Sequence, residues 1–293
     1  MKSNSAIETF LLPQYNTSAA FMERFLVAAH AEGTAIERSP NNQGIKLVDG
    51  NEINADFFDY FIEEKDCFRE EFANELKGKI SDKEFDDFCQ TVAEDWFDGK
   101  RLRQNGRARC LKRSVYDYLS TLAGNSMDRD QFVQSQDLPL DVEPLITVKS
   151  IAAILTVNDQ MIYRHFEGWK SYHSDSDNLS DDNIFLRRGL ALESELDTAI
   201  PYREYDFLNS YSIAFSASEK FAQMRGALTP AMINGEISLF HNRVLFFSPF
   251  IPDMDVGQLE FGIIPHEKPH CLVSQGVHGG IHEYIMDPTP FQQ

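Results

Sequence analysis

Apolar positions in the first half of the chain recur at spacings of three and four. Phe57, Phe61, Phe68, Phe72 and Leu76, flanked by Phe58 and Ile62, trace one stripe. That spacing predicts a helix over 54–77, closed by Gly78. Ser81 and Glu84 then stand at capping-box spacing. Behind them Phe85, Phe88, Cys89, Val92, Trp96 and Phe97 line one face of a second helix, up to Gly99. Helical periodicity accounts for these aromatics as core residues. A shorter pattern runs from Ser18 to Gly33, a short strand is predicted at Ile45–Val48, and Val115, Tyr118, Leu119 and Leu122 mark a further helix that stops before Gly124. Residues 145–167 read as one or two helices, with a break at Thr156–Asp159.

The period changes after a Ser/Asp-rich stretch at 170–183. Strands are predicted at Ile184–Leu192, Ser210–Phe215, Glu236–Phe240, Arg243–Phe247, Glu260–Ile264, His270–Val273 and Ile281–Met286, with a short helix at Glu219–Met224. The fold class is therefore α+β, with the helical and β-rich parts segregated. Pro139, Pro144 and the polar residues of 125–144 place the change of character there. Residues 1–140 form a helical region and 141–293 a β-rich domain.

Composition narrows the function classes. The 293 residues include 42% hydrophobic residues and 23 Phe, ample for a packed core, and carry a net charge of −19. Such a charge argues against non-specific binding to nucleic acid or to an anionic membrane. Cys67, Cys89, Cys110 and Cys271 form no Cys-x-x-Cys pair, so neither a disulfide framework nor a zinc cluster is predicted. No apolar run approaches the ~18 residues of a membrane span. The N-terminus lacks the apolar centre of a secretory signal peptide, which predicts a cytoplasmic fold. Export by a machine that reads a Ser-rich leader is compatible with it.

Charge is unevenly placed. Residues 52–98 hold 16 acidic and 5 basic side chains, a solvated face for the helix pair. Lys100, Arg101, Arg103, Arg107, Arg109, Lys112 and Arg113 follow at once. Pairing with the acidic helices explains them; docking of an acidic partner or phosphate is the functional alternative.

Three segments carry candidate chemistry. In Arg187-Arg188-Gly189 an arginine sits within an apolar strand and requires a partner for its guanidinium, while Gly189 leaves room for a ligand against the backbone. Ser216-Ala217-Ser218-Glu219 reads as a second capping box, where a strand turns into a helix. Gln258 and Glu260, two residues apart at the head of a strand, are predicted to share one face. Five of the eight histidines crowd the tail, but Pro265, Pro269, Gly279 and Gly280 oppose the helix that His-x-x-x-His zinc binding needs, so no metal is predicted. Glu283 is a second carboxylate, set aside because only ten residues follow it.

In this order the three segments resemble the Arg–Ser–Glu class of mono-ADP-ribosyltransferases, which shows aromatic-Arg-Gly in a strand, a strand ending in Ser-Thr-Ser before a helix, and Glu-x-Glu or Gln-x-Glu opening a strand. The counterparts are Arg188-Gly189, Ser216-Ala217-Ser218 and Gln258-Leu259-Glu260. Arg187 stands where the aromatic is usual, Ala217 replaces the middle Thr, and no aromatic precedes Gln258 in its turn. The resemblance covers about residues 145–293. It implies a split-sheet domain that takes NAD as co-substrate and transfers ADP-ribose to a target protein, as bacterial toxins and secreted effectors do. Arg188 would clamp the pyrophosphate or ribose, with Gly189, Ser216 and Ser218 ordering the NAD pocket. Glu260 would stabilise the oxocarbenium-like state, and Gln258 would position an acceptor other than arginine. Arg188, Ser216 and Glu260 should then line one cleft. The helical region would recognise the target. The alternative is a non-catalytic adaptor that binds partners through the acidic helices and the Arg-rich segment.

Overall fold

The Phe stripe folds as α1 (Ala55–Leu76), preceded by a two-stranded ribbon of β1 (Ile45–Val48) and β2 (Asn51–Asn54). The structure, a computed structural model, describes residues 45–48, 51–96, 106–124, 132–135, 137–171, 184–223, 228–278 and 280–290. The helix expected at Ser18–Gly33, the end of the second helix at Phe97–Gly99, and the cations Lys100, Arg101 and Arg103 lie outside the described residues, as does most of the Ser/Asp-rich stretch.

Among the described residues the chain has five α-helices and a seven-stranded mixed sheet, an α+β arrangement. After α1 come α2 (Asp82–Gln90), a π-helical turn at Thr91–Trp96, α3 (Gly106–Ala123) and α4 (Val148–Ser171). The sheet is built from β3 (Phe185–Leu192), β4 (Asn209–Ser212), β5 (Thr229–Glu236), β6 (Val244–Phe247), β7 (Glu260–Ile263), β8 (His270–His278) and β9 (Ile281–Pro290). One helix, α5 (Phe215–Ala222), follows β4. The strand order is β6-β7-β4-β3-β5-β9-β8, and every neighbouring pair is antiparallel except β5 and β9.

One joint in this sheet is thin. β3 pairs with β5 along its whole length, from Phe185 opposite Glu236 to Leu192 opposite Thr229. It meets β4 at a single position, Arg187 opposite Ser212. The sheet therefore opens between β3 and β4, and side chains from both strands reach the gap.

The hydrophobic core runs across residue 140. Phe61 of α1 meets Phe247 of β6 edge-on at 5.3 Å, Phe247 stacks on Phe261 of β7 at 4.1 Å, and Trp96 meets Phe246 at 6.1 Å. The helical layer is thus packed on the β6–β7 end of the sheet. No helix among the described residues is long and apolar enough to cross a membrane.

Three local expectations change. Residues 156–159 do not break α4: buried Asn158 spends its amide on the carbonyl of Leu245 in β6 at 2.8 Å, docking the helix instead of turning the chain. Residues 237–240 form a 3-10 turn, and the strand is the preceding Thr229–Glu236. That segment carries Pro230, Asn234 and Gly235, yet Asn234 is buried against Glu283 at 3.0 Å and Gly235 faces the Phe240 ring. Packing overrides turn chemistry there. Ser216 is not the predicted N-cap, because α5 starts two residues earlier, with Ala214 as its N-cap and no side-chain cap bond there.

The other capping box forms as read. Ser81 Oγ accepts from the Glu84 amide at 3.3 Å, and the Glu84 carboxylate accepts from the Ser81 amide at 3.4 Å. Its second oxygen takes the Thr147 amide at 3.0 Å and the Ser150 hydroxyl at 2.8 Å, which ties the start of α2 to the start of α4. Burial opposes ionisation of Glu84, but these donors outweigh it and hold the carboxyl near about 2, below the ordinary 4.5. Its contribution to stability is present above pH 4.5 and is lost as the pH falls toward 2. Glu84→Ala should cost about 1–2 kcal/mol at pH 7. Thermal melts of both proteins from pH 7 to pH 2 should show that difference shrinking below pH 4.5.

Candidate active site

The opening between β3 and β4 leads into a cavity of ≈ 240 Å³. Arg188 and Gly189 of β3, Ser218 of α5, and Gln258 and Glu260 line it together. Five of the six residues singled out from sequence thus share one cleft. Ser216 falls at the second position of α5, and its side chain lies outside the described set.

Glu260 opens β7 and is 7% exposed. Trp96 Nε1 donates to its Oε1 at 2.9 Å, and the Ser210 hydroxyl of β4 donates to the same oxygen. The Glu260 amide is tied to Ser248 Oγ at 3.1 Å. No described residue donates to Oε2. Burial raises the carboxyl above the usual carboxylate range, against the pull of the Ser210 and Trp96 donors. The cleft therefore holds a carboxylate with one oxygen fixed from two sides and the other available.

Gln258 reaches the same cavity by a route different from strand alternation. It lies in the turn before β7, and between it and Glu260 the buried Leu259 takes a positive φ of 45°. That left-handed conformation is uncommon for a branched side chain and is held from several directions. The Leu259 amide donates to Val256 O at 3.0 Å, Leu259 O accepts from Ile213 N at 3.4 Å, and Ser212 Oγ donates to Gln258 O at 2.5 Å. Strand alternation does not bring Gln258 beside Glu260; a clamped turn does.

The serine pair also moves. Ser216-Ala217-Ser218 lies within α5, where Ser218 Oγ donates to the Arg187 carbonyl at 2.9 Å and fastens the helix to β3. The strand that ends in Ser-x-Ser before the helix is Ser210-Tyr211-Ser212, with Ser210 on Glu260 and Ser212 on the Gln258 turn. Gly189 lines the cavity and also serves packing. A Cβ there would lie 1.8 Å from the Ser218 carbonyl oxygen, so α5 itself occupies that space.

Arg188 is held by a group that periodicity could not flag. Its Nη1 lies 3.5 Å from Oε2 of Glu204, a buried carboxylate, and its guanidinium stands 5.8 Å from the Tyr211 ring. Glu204 also takes the Tyr211 hydroxyl at 2.7 Å, the Tyr202 hydroxyl at 3.3 Å and Arg243 Nη2 at 3.5 Å. Burial would lower the pKa of Arg188, but Tyr202, Glu204, Tyr211 and Asp206 outweigh it and raise it. Arg243 in turn donates to His270 Nε2 at 3.0 Å. Burial first, then that arginine's charge, push His270 down to about 3, so it stays neutral.

Lys112, Arg187 and Arg188 line the cleft together with Asp206 and Glu260. Arg187 is fully buried and donates to the carbonyls of Phe185 and Ile213, bracing the joint of β3 with β4. Lys112 pairs with Asp206. The other described cations of the Arg-rich segment are paired within the chain: Arg107 with Asp87, Arg109 with Asp137 and Asp141, and Arg113 with Asp117. Glu283 is buried on β9 against Asn234 and does not line the cavity. Among the described residues no group of three or more His, Cys, Asp or Glu side chains could hold a metal ion.

A carboxyl raised by burial contributes stability that is present below 4.5 and is lost as the pH rises through its folded-state value. Glu260→Gln keeps an acceptor for Trp96 and Ser210 without the buried charge. Calorimetry at pH 7 should find the Gln variant melting above the wild type, with the gap closing as the pH approaches 4.5. Comparison with protein-family models, curated proteins and solved structures gives no match, so the reading of this site rests on its own geometry.

Proposed function

We propose that the chain is a mono-ADP-ribosyltransferase that cleaves NAD in the β3–β4 cleft and transfers ADP-ribose to a side chain of a target protein. One observation carries the reading. Arg188, Ser210 and Glu260, from three neighbouring strands, converge on one cavity, with Ser210 bonded to Glu260 and Gln258 in the turn alongside. This is the Arg, Ser-x-Ser and Gln-x-Glu set of the resembled class, with the serine pair assigned to Ser210 and Ser212.

The roles follow from the donors and charges. Arg188, pinned on one side by Glu204, offers its remaining N–H groups to the pyrophosphate. At ≈ 240 Å³ the cavity is smaller than the ~300–1,000 Å³ of sites that enclose a drug-sized ligand, so it fits one end of a dinucleotide. Glu260 supplies its open oxygen to the nicotinamide ribose. As the bond from the anomeric carbon to nicotinamide breaks, nicotinamide leaves with the electron pair and positive charge develops on the ribose. A fixed carboxylate stabilises that charge without reorganising. A nucleophilic side chain of the target, oriented by Gln258, then bonds the anomeric carbon and loses its proton to solvent.

Incubating the protein with labelled NAD and a cell lysate should transfer label to protein and release nicotinamide. Glu260→Gln should lower kcat about 10²-fold or more, and Arg188→Lys should act mainly on KM, because lysine cannot reproduce the planar fork. The rate should fall as the pH drops through the raised carboxyl of Glu260, since the ionised form is the active one. No label, no nicotinamide release and no NAD consumption by the wild type would refute the transferase reading and leave the adaptor alternative.

A further inference from the structure

Trp96 belongs to the helical half, and its spacing assigns it to the core, yet its one polar atom ends on the candidate catalytic carboxylate. The indole is 5% exposed and packs edge-on against Phe246, so its ring is fixed. Trp96 is the last residue of the π-helical turn Thr91–Trp96, directly after α2. Such turns shift side-chain direction relative to the helix before them and recur at functional sites. A buried indole N–H requires an acceptor, and here the acceptor is Glu260 Oε1 at 2.9 Å. On the cavity side, Lys112 of α3 stands 5.8 Å from the Trp96 ring and pairs with Asp206.

We propose that Trp96 is a positioning residue for the proposed reaction. Its indole N–H, delivered by the π turn, shares Oε1 of Glu260 with Ser210, fixing the carboxylate with its other oxygen turned to the substrate. This inference rests on the transferase reading of the cleft. It makes the helical half a structural part of the site, in addition to any role in target recognition. Two donors on one oxygen favour the charged form and fix the rotation of the carboxylate plane. With only Ser210 left, Glu260 would keep its burial and lose one of its two donors. A purely structural Trp96 would affect melting but not the titration of Glu260.

The direct test measures the Glu260 titration midpoint by carbon NMR of glutamate side chains in the full chain, assigned with Glu260→Gln. Trp96→Phe retains the ring packed on Phe246 and removes only the donor. The midpoint should rise in Trp96→Phe, with the acid limb of the rate profile moving up alongside it. The value of kcat should fall about tenfold or more, as loss of a hydrogen bond to a charged group does, with KM within about twofold. An unchanged midpoint overturns the proposal.

A second measurement does not depend on how well that variant folds. The chain has two tryptophans, so Trp169→Phe leaves Trp96 as the sole reporter. Its emission should step at the Glu260 midpoint, and Glu260→Gln in the same background should abolish the step. Emission that ignores Glu260 overturns the proposal. Nicotinamide release by the wild type reports separately on the reaction. Absent release with an intact midpoint shift removes the transferase reading and leaves the coupling of Trp96 to Glu260 standing.

Discussion

A single buried carboxylate, that of Glu204, sets what the β3–β4 cleft can contain. Arg188 and Arg243 each approach it to 3.5 Å, and the hydroxyls of Tyr202 and Tyr211 complete its shell. An isolated guanidinium in such surroundings is strongly disfavoured, and removing one member of a buried pair costs several kcal/mol. Two arginines on one carboxylate leave the cluster with an excess positive charge. The neighbouring pair of Lys112 and Asp206 is balanced, and of the two arginines on Glu204 it is Arg188 that lines the cavity.

The geometry of the cleft depends equally on what does not pair. A continuous ladder between β3 and β4 would close the space that Arg188 and Ser210 share. Instead the strands meet only at Arg187 and Ser212, and the joint is held by other means. The Arg187 side chain bonds the carbonyls of Phe185 and Ile213, and Ser218 fastens α5 to the Arg187 carbonyl. Gly189 lets α5 sit directly on β3. The carboxylate at the far wall is destabilised by burial and constrained by donors from two layers, Trp96 from the helices and Ser210 from the sheet.

Much of this was legible in the residues. The Phe stripe of α1, the capping box of α2 and most strands follow from periodicity and cap chemistry, which are local. Arg188, Gln258 and Glu260 were identifiable because their spacing matched a known order of motifs. Two Ser-x-Ser segments lie six residues apart, and only the secondary structure, a strand ending at Ser212 and a helix holding Ser218, distinguishes them. Glu204 carried no signal. It sits in a short irregular stretch, and its importance comes from Arg188, Arg243, Tyr202 and Tyr211 meeting in space. Helical spacing identifies Trp96 correctly as core, but its bond to Glu260 had no sequence signature. Strand alternation predicts Gln258 beside Glu260, where the structure uses a clamped turn, and the packing of α5 against Gly189 had no sequence signal.

The most direct test of this account is a crystal structure of the Glu260→Gln variant grown with NAD. The account predicts nicotinamide ribose in the β3–β4 cavity, its hydroxyls within hydrogen-bond distance of residue 260, and the pyrophosphate on Arg188. Dinucleotide bound elsewhere, or a cleft that stays empty at millimolar NAD, would contradict it.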